Sequence, residues 1–291
     1  MKNILVTGGN GQLGSSLRNI SPSYPDFNFA FIDYDDLDLT KADRVNEFFQ
    51  SRYTDYIINC AAFTAVDQAE TQEEAAFNVN AGIPRLLAGI AGVNNIRLLH
   101  ISTDFVYDGK RSLPHTENET PVPLSIYAQS KLEGEKALWE HPSAIIIRTS
   151  WLYGEFGKNF LKVMLHLGNE RKELGVVFDQ TGTPTYSGDL AQTLMEIISF
   201  SEKNEFIPGV YNYSNEGVCS WYDFAREIMK QGDKNCKIKP IRTSEYPLPA
   251  KRPEYSVLDK SKIKRTFGIK IPYWKDSLST ALANLKKNKE I

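Results

Sequence analysis

Three side chains near the middle of this 291-residue chain are of a kind and spacing that can move a proton. Tyr127 and Lys131 stand four apart in Tyr127-Ala128-Gln129-Ser130-Lys131, so a helix would carry phenol and ammonium on one face. A phenol with a pKa of about 10 is a poor acid–base at neutral pH. A neighbouring cation favours the phenolate, so Lys131 is expected to draw Tyr127 toward working range. The third group is Thr103, in Ile101-Ser102-Thr103-Asp104-Phe105-Val106-Tyr107. Its hydroxyl is placed to donate to a substrate carbonyl and help stabilise a developing oxyanion. Each feature has a plainer reading. Tyr and Lys at this spacing occur by chance on exposed helices, and a Ser/Thr turn can simply satisfy its own backbone.

A second set of residues suits a dinucleotide. The apolar run Ile4-Leu5-Val6 leads into Thr7-Gly8-Gly9-Asn10-Gly11-Gln12-Leu13-Gly14, with glycines at 8, 11 and 14. Gly8 lets a buried strand turn sharply, Gly11 lets backbone approach a pyrophosphate, and Gly14 lets the next helix pack closely. That helix would aim its free N–H groups at the phosphates. The bland alternative is a glycine-rich turn between any strand and helix. Asp33 follows Gly14 by 19 residues. A carboxylate there can accept hydrogen bonds from ribose hydroxyls and repel a 2′-phosphate, which favours NADH over NADPH. It could equally be one more surface acid beside Asp35, Asp36 and Asp38. In Cys60-Ala61-Ala62-Phe63-Thr64, the two alanines leave space for a flat ligand and Thr64 offers a hydroxyl. Asn80 is read as tying a helix to the neighbouring strand.

These residues need a frame that gathers them. The first half alternates short apolar runs with amphipathic stretches, the pattern of a parallel sheet covered by helices. Strands are expected at Lys2–Thr7, Asn28–Asp33, Tyr56–Cys60, Leu98–Ser102 and Ala144–Arg148. Helices are expected at Gln12–Asn19, Lys41–Arg52, Gln72 to about Gly92, and Tyr127–Trp139. Every candidate then follows the carboxyl end of a strand, where doubly wound folds bind their ligands. The fold class is α/β, a doubly wound parallel (Rossmann) sheet over residues 1–150. After Arg148 the alternation fails. The helix Ser187–Phe200 and strand Gly209–Tyr213 are expected to return residues 187–213 to the sheet. Residues 151–186 and 214–291 then form a smaller interleaved lobe, including Trp221–Lys230 and Pro247–Leu258.

Composition narrows the choice. Charge is balanced at −2, which advertises no nucleic-acid face. No apolar stretch approaches the roughly 20 residues that span a bilayer. The start leaves no room for a secretory signal, and Lys286–Lys289 reads as a solvated tail. Cys60, Cys219 and Cys236 form neither a disulfide framework nor a metal spacing, so a reducing cytoplasm is expected. The four histidines suggest no triad or metal, with His100 a packed strand residue, and no Walker lysine follows the glycine loop.

Taken together, Thr7–Gly14, Ala61-Ala62, Ser102–Tyr107 and Tyr127–Lys131 resemble the extended short-chain dehydrogenase/reductase family. The likeness is closer to its dTDP-4-dehydrorhamnose reductase branch through Ala61–Asp67, Ser102–Tyr107, Arg148–Gly154, Asp179–Thr185 and Arg252–Leu258. The resemblance implies reduction of the 4-keto group of dTDP-4-dehydro-β-L-rhamnose, with Thr103, Tyr127 and Lys131 catalytic. It implies an NAD(P)H site lined by Asn10, Gly11, Gln12, Leu13, Asp38, Leu39, Ala61, Ala62 and Phe63. Thr103, Asp104 and Trp151 would meet the sugar, and Arg252 the nucleotide diphosphate, so the second lobe would bind the nucleotide sugar. Some relatives form a magnesium-bridged dimer through two glutamates; here those positions are Ser16 and Asp189. No metal is therefore expected, and a homodimer is left open. Two other readings compete: a nucleotide-sugar epimerase or dehydratase of the same fold, and a non-catalytic subunit resembling the methionine adenosyltransferase beta subunit.

Overall fold

A computed structural model describes residues 1–288, so Lys289 of the basic tail lies outside the described residues. The chain opens with β1 (Lys2–Thr7), α1 (Gln12–Ile20), β2 (Phe27–Ile32), α2 (Ala42–Gln50) and β3 (Tyr56–Asn59). Two short helices, α3 (Val66–Ala69) and α4 (Glu73–Phe77), lead through a π-turn at Asn78–Gly82 into α5 (Ile83–Asn94). Then come β4 (Arg97–Thr103), α6 (Ile126–Lys136) and β5 (Ala144–Thr149). Parallel strands need crossover connections, and these helices supply them.

The later half holds β6 (Leu152–Tyr153), α7 (Phe160–Glu170), β7 (Glu173–Val177), β8 (Thr181–Gly182) and β9 (Thr185–Tyr186). It continues with α8 (Ser187–Ser201), β10 (Gly209–Tyr213), β11 (Cys219–Ser220), α9 (Trp221–Gln231) and β12 (Lys237–Ile241), ending with α10 (Ser261–Phe267) and α11 (Trp274–Lys287).

Six parallel strands pair in the order β10-β5-β4-β3-β1-β2. Strand order reverses between β1 and β3, which opens a crevice beyond their carboxyl ends. Alternate residues of each strand face opposite layers. Ile4 and Val6 pack with Leu13 and Leu17 of α1 and with Leu190, Leu194 and Ile198 of α8. Leu5 packs on the other side with Val45 and Phe49 of α2 and Leu87 of α5. Both sheet faces are therefore covered, which is why β1, β3 and β5 read as continuous apolar runs. A separate core joins α7, β7, α9, β12 and α11 through Leu161, Val176, Phe224, Ile238 and Leu278.

Local signals set the helix ends. Ser125 caps α6, its hydroxyl accepting from the Ala128 N–H at 3.2 Å, and α5 ends on Asn95 in the left-handed region. The α6 helix stops at Lys136 rather than Trp139, whose indole donates back to Glu135 at 3.4 Å. No helix among the described residues is long and apolar enough to cross a membrane.

Beneath the carboxyl edge of β4 and β5 sits a buried ion pair. The Arg148 guanidinium donates to both oxygens of Glu135, at 2.6 Å from Nη2, and to the Tyr107 hydroxyl at 2.7 Å. Ser102 donates to the same carboxylate. Removing one partner of such a pair strands the other charge out of water. Arg148→Met should therefore cost about 3–5 kcal/mol of stability, read as a shifted urea midpoint; an unshifted midpoint would show the pair to be energetically idle.

Candidate active site

A cavity of about 1020 Å³ runs along the carboxyl edge of the sheet into the second core. It is lined at one end by Gly8, Asn10, Gly11, Gln12, Leu13 and Gly14, then by Asp33, Asp38 and Leu39. Ala61, Ala62, Phe63 and Thr64 form its floor, and Thr103, Asp104, Tyr127, Lys131, Trp151 and Arg252 gather at the other end. Every site residue picked from the sequence faces one space.

Gly8 is required twice over. Its φ is +63°, and a Cβ there would lie 2.8 Å from the Ala61 nitrogen. Gly14 does not pack on the sheet, as the motif suggests, but on the loop itself: a Cβ would fall 2.3 Å from the Gly8 carbonyl oxygen. The α1 N-terminus has no side-chain cap and no acid in its first turn, so its N–H groups and dipole remain available to an anion. Buried beside it, Gln12 Oε1 has no hydrogen-bond partner among the described residues. An open backbone cradle and an uncapped helix end supply donors that fit the pyrophosphate of a dinucleotide, while the Gln12 oxygen, an acceptor, suits a hydroxyl of the same ligand. Asp33 accepts the Asn10 N–H at 2.8 Å, which fixes its carboxylate at the edge of this cradle. Asp38 is engaged with the Thr40 hydroxyl and N–H, and the hydroxyl bond holds its carboxyl below the usual range.

Asn80 binds both sides of the Phe63 peptide, accepting from its N–H at 2.9 Å and donating to its carbonyl at 3.1 Å. It also donates to the Ser130 hydroxyl at 3.0 Å, so one amide joins the β3 loop to α6. The partner is a helix rather than only a strand, and the π-turn makes the reach possible by turning Asn80 out of α-helical register. His100 is fully buried, with Nδ1 2.9 Å from the Asn59 amide, a packed strand residue as read.

Thr103 ends β4. Its hydroxyl accepts from the Phe105 N–H and donates to Asp104, each at 3.2 Å, and also hydrogen-bonds the Tyr127 phenol. The Ser/Thr turn is therefore present, and the residue also faces the cavity. The pull of Lys131 on Tyr127 is overturned. Burial pushes the phenol up to about 12, outweighing the Thr103 hydrogen bond. The Lys131 ammonium, 2% exposed, donates instead to the Ile101 carbonyl at 2.7 Å. Burial brings it down to about 8, with Glu135 opposing.

Trp151 has a positive φ of 47°, a strained state for a bulky residue, and stacks on Trp221 at 3.7 Å between ring centroids. Arg252 is already engaged. It clasps Asp67 through both terminal nitrogens, at 3.1 and 2.7 Å, and this hydrogen bonding holds the Asp67 carboxyl low. Ser16 and Asp189 are both turned inward, Ser16 to Ser187 at 2.8 Å and Asp189 to Asn215 at 2.6 Å. Among the described residues no group of three or more His, Cys, Asp or Glu is arranged to hold a metal.

A family model described as the RmlD substrate binding domain matches residues 1–287. A dTDP-4-dehydrorhamnose reductase of Aggregatibacter actinomycetemcomitans is 40% identical, across 97% of this chain and 99% of its own. This chain belongs to the dTDP-4-dehydrorhamnose reductase family. A solved reductase of that name from Clostridium acetobutylicum superposes with a TM-score of 0.92 at 41% identity, covering 98% and 99% of the two chains. One from Bacillus anthracis, in complex with NADP, also scores 0.92, at 36% identity over 98% of this chain and 100% of its own. The resemblance read from the motifs was to this branch.

Sequence reasoning missed Trp221, Gly157 and Ser256. Trp221 opens α9 and meets Trp151 only in the folded chain. Gly157, at φ +65°, closes over Gln12, and Ser256 hydrogen-bonds Asp104. Each lies in the second half, where the regular alternation of strand and helix fails and position along the chain does not point to the cavity.

Asp104 is 2% exposed, one of its oxygens has no hydrogen-bond partner, and burial raises its carboxyl to about 7. Because the folded value lies above the unfolded 3.8, the stability it contributes is complete below pH 4 and lost as pH rises through 7. Wild type should lose about 4 kcal/mol across that window by this group, and Asp104→Asn should not. Urea unfolding at pH 4 and pH 8 checks this; parallel changes in both proteins would refute it.

Proposed function

We propose that this protein reduces the 4-keto group of dTDP-4-dehydro-β-L-rhamnose to dTDP-L-rhamnose with NADH or NADPH, Tyr127 giving the proton. The observation that carries the reading is the convergence of Thr103, Tyr127 and Lys131 on the cavity that also holds the glycine loop, in a chain matched end to end by reductases of this name. When bound, the nicotinamide supplies the hydride; the chain supplies position and proton. The α1 N-terminus and the 8–14 loop hold the pyrophosphate, and Asp33 the adenosine ribose. Lys131, anchored on the Ile101 carbonyl, presents its remaining donors to the nicotinamide ribose.

Tyr127 and Thr103 meet the keto oxygen. A phenol at about 12 keeps its proton until an alkoxide forms, and that stronger base then takes it. Thr103 stabilises the same oxygen as charge develops. Asp104 and Trp151 border the sugar, the buried carboxyl offering a polar contact and the indole an apolar wall. A second cavity of about 580 Å³ shares Phe105, Trp151, Trp221 and Arg252 with the first. Its apolar walls, including Met164 and Val176, and its basic edge at Lys110, Lys251 and Arg252 suit a nucleoside diphosphate. Arg252 would there exchange Asp67 for phosphate, its planar fork fitting either anion. A homodimer of this chain would need contacts other than a metal held between Ser16 and Asp189.

Tyr127→Phe should cut turnover by at least about a hundredfold while leaving NADH binding intact. The assay follows NADH absorbance with dTDP-4-dehydrorhamnose, against the UDP- and GDP-linked keto-sugars. Full turnover in the variant would overturn the assignment. Conversion of substrate without net NADH consumption would instead indicate an epimerase, and absence of any conversion a regulatory role.

A further inference from the structure

The Asp33 end of the groove carries two opposed preferences. Both oxygens of Asp33 are already held by backbone, Oδ2 by the Asn10 N–H and Oδ1 by the Tyr34 N–H, each at 2.8 Å. Its negative charge therefore cannot swing away from an arriving ligand, and Asp35, Asp36 and Asp38 stand close in sequence. That environment suits ribose hydroxyls and disfavours a phosphate.

Arg18 reaches the same corner from the opposite side. It is exposed on α1, and its two terminal nitrogens each lie 3.3 Å from the side-chain oxygen of Asn10. Its guanidinium carbon sits 4.8 Å from the centre of the Phe31 ring, on β2, the strand that leads into Asp33. A Cβ at position 9 would come within 3.2 Å of Arg18 Nη2, so Gly9 leaves the space that lets the guanidinium lie over the loop. These partners are neutral, an amide oxygen and a ring. They orient the cation without discharging it, and two long hydrogen bonds are cheap to exchange. Asn10 is the shared piece: its N–H holds the acid and its side chain holds the guanidinium.

We propose that Arg18 is the residue that admits a 2′-phosphate at this corner, so that the groove accepts NADPH as well as NADH. The proposal rests on the reading of the groove as a dinucleotide site. Arg18 releases Asn10 and turns its planar donors to the phosphate oxygens, a geometry guanidinium matches bidentately. Asp33 keeps the 3′-hydroxyl side. Neither charge alone sets the preference; their competition does.

The test is binding, measured by fluorescence titration of NADPH and NADH into the full-length protein without sugar. Arg18→Met should weaken NADPH by about ten- to a hundredfold, the worth of a charge-assisted hydrogen bond, and leave NADH unchanged. Arg18→Lys should recover much of the loss, and the wild-type advantage should shrink with salt. Equal weakening of both dinucleotides would make Arg18 a prop for the loop and overturn the proposal, as would no change in either. If neither dinucleotide binds wild type, the groove reading itself fails and the role of Arg18 fails with it.

Discussion

The position of Tyr127 and Lys131 depends on one buried carboxylate. Glu135 is fully enclosed and is held by Arg148 from β5 and Ser102 from β4. It stands one helical turn beyond Lys131 and two beyond Tyr127 on the same helix. Fixing Glu135 against two strands therefore fixes the axial position of α6, and with it the phenol and ammonium. Placing this ion pair out of water is expensive, which is why its hydrogen bonds are so fully used. Tyr107, which closes the other side of Arg148, belongs to the loop that follows Thr103. The same network thus ties the segment that carries Thr103 to the helix that carries Tyr127.

The cofactor end is set by close approach rather than by charge. Gly8 passes against the Cys60–Ala61 backbone and Gly14 against the Gly8 carbonyl, so the loop is wedged between β3 and its own helix. Asn80 then joins the far side of the Ala61–Phe63 floor to α6. Loop, floor and α6 are thereby joined by hydrogen bonds and close contacts. The other end of the cavity is built differently, from the strained Trp151 stacked on Trp221 and the Arg252–Asp67 clasp. Those contacts cross between segments far apart in sequence.

Much of this was legible beforehand. The glycine loop, Asp33, Thr103 and the Tyr127–Lys131 pair announce themselves because each is a local pattern tied to one strand end or one helix face. Parallel strands buried on both faces write themselves as apolar runs, so the strands of the six-stranded sheet could be read with errors of one or two residues at their ends, while most of the short elements after β5 could not. The amino-acid sequence alone therefore determined the fold class, the family and much of the cavity's lining, though not Gly157 or Trp221. Tertiary structure decided what no spacing encodes. It sent the Lys131 ammonium to the Ile101 carbonyl and left the Tyr127 phenol beside Thr103, a choice of partners that a spacing of four residues does not encode. It joined Trp151 to Trp221 and Arg252 to Asp67, pairs 70 and 185 residues apart in the chain. It also set Arg18 opposite Asp33 across Asn10, since a helix and a strand end meet there only once the sheet has formed.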